Sequence, residues 1–250
     1  GKFLKRWPRL ADARCFPAIG DGAANNIGAG CVSNDEAALM IGTSGAMRVA
    51  FAGRPPEKMP RGLWCYRVDR DRVIIGGALS DGGGLYRWLK DLITINDDSE
   101  EAELEVRSRI PAGHGITFMP FVAGERSTGY HESASGSIIG LRMHHDGVDI
   151  LQAALESVAY RFAAIFDQLC GVVPLRTIVA SGGALRSSPI WTSIISHVIG
   201  CDMVLPDTRE ASSRGAVLYC LEKLGRLDSL EKIPTPPGAR FRFDEKLHAL

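Results

Sequence analysis

The 250-residue sequence predicts a layered α/β domain, with helices packed on both faces of a mixed central sheet. Three observations carry that expectation. Strand-like runs cluster early and then alternate with helix-like ones, the order of an α/β layer structure. Asp149–Leu169 places Leu151, Leu155, Val158, Phe162, Ile165 and Leu169 at three- and four-residue steps, the period of a long amphipathic helix. Three glycine segments, Gly42-Thr43-Ser44-Gly45, Ser80-Asp81-Gly82-Gly83-Gly84 and Ser181-Gly182-Gly183-Ala184, each sit where a β-like run ends or a helix-like one opens.

In chain order, Phe16–Ile19 is a short apolar run leading into Gly20-Asp21-Gly22, and Ala23–Gly30 starts a helix. Ala37–Ile41 and Ala46–Phe51 read as a β-hairpin about Thr43 and Ser44. Arg54–Gly62 contains Pro55, Pro56 and Pro60 and is loop. Trp64–Val68 and Val73–Ala78 are strands joined by the charged turn Asp69–Asp71. Gly83–Ile93 is a helix with Leu85, Trp88, Leu89 and Leu92 on one face, and acidic Asp97–Arg109 is a second. Ile116–Val122 has the composition of a buried strand. Asp149 stands at the N-cap of the long helix and Gly171 just past its end. Thr177–Ala180 is a strand, Pro189–Ile199 a helix ending at Gly200, Met203–Leu205 a strand, and Ser213–Leu224 a helix stopped by Gly225. Ile233–Gly238 holds three prolines and is loop.

Composition bounds the function. Hydrophobic residues make up 45% and charged residues 23%, enough for a sizeable core. Net charge is zero and no basic stripe stands out, which argues against nucleic acid or an anionic membrane as partner. Glycines, Thr43, Ser44 and Arg48 interrupt the longest apolar stretch, so a membrane-spanning helix is not expected. The six cysteines lie in apolar segments with no CxxC pair, and are read as buried free thiols of a cytoplasmic protein. The chain begins Gly1-Lys2-Phe3 and reads there like the middle of a structure, so a fragment or a processed piece is expected.

The motifs point to a nucleotide. Glycine admits phosphate and ribose close to the backbone, and its N–H groups face an anion without a Cβ in the way. Three such loops on separate crossings of a sheet can assemble one site. There is no Walker A sequence, and Gly42-Thr43-Ser44-Gly45-Ala46 departs from the nucleophile elbow at its last residue. His144-His145-Asp146 lacks helical ligand spacing and reads as a solvated turn, so no metal ligands are assigned. Asp21 stands among Gly20, Gly22, Ala23 and Ala24. It fits a plain turn former, and equally a carboxylate with room for a substrate beside it.

Gly136-Ser137-Ile138-Ile139-Gly140-Leu141, followed after seven residues by Asp149-Ile150-Leu151-Gln152-Ala153-Ala154-Leu155-Glu156, resembles the second signature of the FGGY carbohydrate kinases. Gly20-Asp21-Gly22-Ala23-Ala24 is similar to the family's catalytic-aspartate segment, and Ile41–Gly45 to its phosphate-side loop. Ser181–Ser187 resembles its adenine-side glycine pair, and Glu210–Ala216 the opening of its last helix. Phe118–Gly129 and Trp64-Cys65-Tyr66-Arg67 look most like the gluconate kinases of the family.

The resemblance implies an RNase H/actin-like ATPase domain that transfers the ATP γ-phosphoryl group to a sugar or sugar-acid hydroxyl, gluconate first. It implies Asp21 as the catalytic carboxylate. Gly42, Thr43, Ser44, Gly45, Gly83, Arg87, Gly182, Gly183 and Ser187 would be ATP-binding, with Mg²⁺ accompanying the nucleotide. Residues 1–35 would be the tail of a first, sugar-binding domain and 36–250 the C-terminal ATP-binding domain. The implied partners are the missing N-terminal actin-like domain, a small sugar or sugar acid, and a second copy in a possible homodimer. Ser187 replaces a frequent asparagine and Arg87 a glutamine, which puts the base contacts in question. An actin-like ATPase switch, or an ATP-binding module without sugar kinase activity, stays open beside this reading.

Overall fold

Near-continuous apolar runs build a seven-stranded sheet that is covered on both faces. The computed structural model describes residues 2–93 and 99–250. β1 (Glu36–Ile41) and β2 (Gly45–Ala52) form the expected hairpin, with Ala38 opposite Arg48 and Ile41 opposite Gly45. β4 (Arg72–Leu79) pairs antiparallel with β2, and β3 (Trp64–Arg67) antiparallel with β4 at that edge. On the other side of β1 run β7 (Thr177–Ser181) and β8 (Met203–Pro206), both parallel, and then antiparallel β9 (Gly238–Phe241). The order is β3-β4-β2-β1-β7-β8-β9.

Because strand side chains alternate between faces, each strand feeds two cores. Leu39, Ile41, Met47, Val49, Ile75, Ile178 and Ala180 join the main core. There they meet α3 (Gly83–Leu92), α5 (Gly147–Cys170) and α7 (Pro189–Ile199). Ala38 and Val179 face the opposite way, onto Ala29 and Cys31, while Ala50 and Ile74 meet Ala23. That second face is covered by α2 (Asp21–Ala29), backed in turn by α8 (Ala211–Lys223).

α2 and α8 cross almost backbone to backbone, and two glycines make that possible. A Cβ on Gly28 would stand 1.7 Å from the Ala211 carbonyl oxygen, and one on Gly215 1.8 Å from the Ala24 carbonyl oxygen. The Arg214 guanidinium donates across the same crossing to the Gly28 carbonyl. Asp21 is the first residue of α2, so this crossing also sets where its carboxylate stands. Gly28→Ala should cost at least about 2 kcal/mol by overpacking. Urea unfolding checks it: the midpoint falls with the slope unchanged. An unchanged midpoint would mean that the crossing is loose.

The α5 N-terminus differs from expectation. Its N-cap is Asp146, whose side chain accepts from the Val148 and Asp149 amides, while Asp149 reaches back to the Asp146 amide. Two aspartates three residues apart both fit a cap, and the reciprocal box assigns Asp149 to the third helical position. Arg109 bridges both carboxylates, at 2.6 Å to Asp146. That hydrogen bond, and the box around it, hold the Asp146 carboxyl below its usual range.

Other differences have simple causes. Of Ile116–Val122 only β5 (Thr117–Met119) is strand; it pairs with β6 (Ser137–Ile139) in a separate ribbon and buries only Phe118. On α3, Leu85 and Leu89 are buried but Trp88 and Leu92 are 39% and 59% exposed, because the core touches a narrower stripe than the period admits. Phe16–Ile19 is irregular chain. The acidic helix is α4 (Ser99–Ser108), and Asp97 and Asp98 lie outside the described residues, as does Gly1. Of the six free cysteines only Cys31 and Cys201 are buried, while Cys15 and Cys170 are exposed. No helix among the described residues is long and apolar enough to cross a membrane. A mixed sheet with helices on both faces is the RNase H/actin-like arrangement.

Candidate functional site

The three glycine segments meet at one seam beside the β1–β2 turn. The Gly83 amide donates to the Gly42 carbonyl at 2.8 Å, and the Gly84 amide to the Thr43 carbonyl at 2.9 Å. A Cβ on Gly83 would come within 2.6 Å of the Gly42 oxygen and 2.9 Å of the Ala184 Cβ. Gly182 has φ of +101°, and a Cβ there would sit 2.2 Å from the Ile41 carbonyl oxygen. So Gly83 and Gly182 are glycine because loops touch loops. Gly83 also lines the first cleft described below, whereas Gly182 packs against β1.

Two clefts open on either side of this turn. One, of about 580 Å³, is lined by Gly42, Thr43, Gly83, Arg87, Gly183 and Ser187, six of the nine residues expected to bind ATP. Gly183 has no atom within 4 Å of where its Cβ would be, and Gly42 only Met40 Sδ at 3.8 Å. These two glycines keep real space open above the backbone. Ser187 Oγ donates to the Gly183 carbonyl at 2.9 Å, which fixes its rotamer at the mouth. Gly182 is the member of the set that packs behind the cleft, against β1.

Sequence reasoning missed Tyr86, Lys90 and Trp191, which line the same cleft. Tyr86 and Lys90 are one helical turn apart on α3, and that spacing was the available signal. Burial, and then the nearby Glu103 carboxylate, push the Tyr86 phenol up. Trp191 is buried and donates its indole N–H to the Leu155 carbonyl at 3.1 Å, a rigid floor tied to α5.

The second cleft, of about 330 Å³, holds Asp21 together with Ser44 and Gly45 from the far end of the turn. Asp21 is exposed at the start of α2, and its Oδ1 accepts from the Gly22 amide at 2.7 Å. Gly45 presses on the Phe162 ring, where a Cβ would be 2.6 Å from Cζ. Arg48, Arg67 and Arg126 line this cleft, with the Trp64 and Tyr66 rings stacked 4.5 Å apart. Burial lowers the Arg48 guanidinium, which Asp21 opposes and Arg126 reinforces. Thr43 thus lines the first cleft and Ser44, its neighbour in the turn, the second. Among the described residues their amides and hydroxyls have no hydrogen-bond partner, so four donors are free for an anion bridging the two.

The conspicuous Gly136–Glu156 segment lies elsewhere and serves packing. Glu156 is 4% exposed and accepts from Gln152 Nε2 at 2.8 Å and the Ala112 amide at 3.1 Å. His114 Nδ1 accepts the Ile116 amide, so its Nε2 carries the proton donated to Glu156 at 3.1 Å. The helix thereby clamps the loop before β5. The turn around His144 is exposed, and His145 ties it down by accepting from the Arg142 amide and bonding the His114 carbonyl.

The open backbone at Gly42 and Gly183, the unpartnered donors of Thr43 in the first cleft and those of Ser44 next to it are compatible with a nucleotide. For Mg²⁺, no three His, Cys, Asp or Glu among the described residues gather into a ligand set. A nucleotide-bound Mg²⁺ needs few protein ligands, since phosphates and water supply most of its shell.

Comparison with known proteins places the chain beside carbohydrate kinases. The model of the FGGY family of carbohydrate kinases, C-terminal domain, matches residues 37–221. The chain is 30% identical over 234 residues to a gluconokinase of Bacillus subtilis, covering 89% of this chain and 45% of that protein. It is 29% identical to a glycerol kinase of Rhizorhabdus wittichii over 84% of this chain and 42% of that one. Among solved structures, a xylulose kinase of Lactobacillus acidophilus aligns with TM-score 0.87 at 23% identity, over 99% of this chain and 51% of that one. A gluconate kinase of Lactobacillus acidophilus aligns with TM-score 0.81 at 24% identity, over 92% and 47%. The chain spans about half the length of the relatives it matches.

Proposed function

The chain belongs to the FGGY family of carbohydrate kinases, and from that premise we propose that its protein phosphorylates a sugar-acid hydroxyl with ATP, gluconate first. The observation that carries this reading is the pair of clefts meeting at Thr43 and Ser44, with open glycines on one side and Asp21 on the other.

ATP lies in the larger cleft. Gly42 and Gly183 admit it to the backbone, Arg87 and Ser187 stand at the ribose and base end, and Gly83 and Gly182 hold the loops that shape the wall. Thr43 and Ser44 donate to the β- and γ-phosphates where charge builds in transfer. Bound Mg²⁺ neutralises phosphate charge. The acceptor hydroxyl sits in the smaller cleft within reach of Asp21. Its oxygen attacks the γ-phosphorus, the bond to the ADP oxygen breaks, and Asp21 takes the hydroxyl proton as the new bond forms. Holding both reactants across one turn removes the entropy of their encounter.

A first actin-like domain, its tail narrowed from residues 1–35 to those before Asp21 because α2 packs on the sheet and on α8 of this body, closes over the acceptor and supplies most sugar contacts. No nucleic acid or membrane enters this reading.

The test is ATP-dependent phosphorylation by the protein carrying both domains, across gluconate, xylulose and glycerol. Gluconate should turn over with kcat/KM at least about tenfold above the other two, a preference of about 1.4 kcal/mol. ADP release with no sugar dependence would favour the ATPase-switch reading and remove this one.

A further inference from the structure

The cleft beside Asp21 carries more positive charge than the chain neutralises. Arg48 projects from β2 against Gly22, where a Cβ would stand 2.9 Å from Arg48 Nε. Its Nη1 is buried and lacks a hydrogen-bond partner, and among the described residues it makes no ion pair. Arg126, from the loop between β5 and β6, lines the same cleft and makes none either. Among the described residues Arg67 donates only to the Arg70 carbonyl, at 3.4 Å, and Asp21 is the one carboxylate lining the space. Three guanidiniums against one carboxylate leave two positive charges without a counterpart.

Such an arrangement weakens the fold taken alone. An unpaired buried guanidinium and an unsatisfied donor both carry a desolvation penalty. Each gains most from an anion placed between them. The nucleotide does not account for it, because Arg48 and Arg126 are absent from the lining of the larger cleft and share the acceptor's side of the turn. The guanidinium fork matches a planar carboxylate with two parallel hydrogen bonds. The stacked Trp64 and Tyr66 rings add a flat apolar wall beside it, suited to a carbon chain.

We propose that Arg48, seconded by Arg126, receives the carboxylate of a sugar-acid acceptor and so determines selection of an aldonate over a neutral polyol. This rests on the kinase reading above and deepens it. Asp21 faces the hydroxyl at one end of the acceptor while Arg48 fixes the other, which sets which carbon is phosphorylated.

The experiment compares Arg48→Met, Arg48→Lys and Arg126→Met with the parent in the two-domain protein, using gluconate and sorbitol, its neutral six-carbon counterpart. Arg48→Met should lose at least a hundredfold in kcat/KM for gluconate, chiefly through KM, with sorbitol unchanged or improved. Arg48→Lys should recover part of the loss, since it keeps the charge without the fork. Arg126→Met, an exposed change that spares folding, should show the same selective loss at about tenfold. Equal losses on both substrates would assign these arginines to phosphoryl transfer or folding and overturn the proposal. So would unchanged gluconate kinetics, or a parent enzyme that phosphorylates neutral sugars and not gluconate, either of which leaves the kinase reading standing. A parent inactive on every acceptor removes both.

Discussion

Asp21→Asn should lower turnover on the acceptor sugar by about 10²–10⁴-fold while ATP affinity stays near that of the parent protein. Asparagine keeps the shape and a hydrogen-bonding oxygen but cannot accept the hydroxyl proton. Asp21 lies in the smaller cleft with Ser44 and Gly45, apart from the walls that Gly183, Arg87 and Ser187 give the larger one. The loss should therefore fall on kcat, with the nucleotide site intact. The substitution is also safe for the fold. Asp21 is exposed, makes no salt bridge among the described residues, and bonds only the neighbouring Gly22 amide. Steady-state kinetics with calorimetric titration of ATP checks both halves. A drop in ATP affinity with kcat preserved would make Asp21 a structural group at the start of α2.

Gly183→Leu should weaken ATP binding at least tenfold, about 1.4 kcal/mol or more, and leave thermal stability within a few degrees of the parent. No atom lies within 4 Å of a Cβ at Gly183, so the new side chain occupies the cleft and displaces nothing of the protein. Gly182→Ala is the contrast. Its φ of +101° and the Ile41 carbonyl 2.2 Å from the added carbon make that change a fold defect. Adjacent glycines in one motif thus separate into a cleft-facing and a packing member. Calorimetric titration beside thermal unfolding distinguishes them. Unimpaired ATP binding by Gly183→Leu would place the nucleotide outside this cleft.

Much of this was legible in the residues, for physical reasons. The β1–β2 hairpin, α5 and α7 announce themselves by period, by Gly200 in the left-handed region at the end of α7, and by Asp146 or Asp149 at the head of α5. The convergence of Gly42, Gly83 and Gly183 follows once each loop is placed at a strand or helix boundary. What stayed hidden depends on contacts between distant segments. Nothing near Arg48 in sequence says that Gly22 makes room for it, or that Arg126 arrives from a loop about eighty residues later. Trp88 and Leu92 fit the apolar stripe of α3, yet of that stripe only Leu85 and Leu89 join the main core. Period tells which residues share a face and not how wide the neighbouring surface is.

The most direct test is a structure of the two-domain protein with a non-hydrolysable ATP analogue and gluconate. The account predicts the triphosphate running past Thr43 and Ser44, the base end near Gly183 and Ser187, and the γ-phosphate between that turn and an acceptor hydroxyl hydrogen-bonded to Asp21. A nucleotide bound away from the seam of Gly42, Gly83 and Ala184, or an acceptor hydroxyl out of reach of Asp21 in the closed complex, would contradict it.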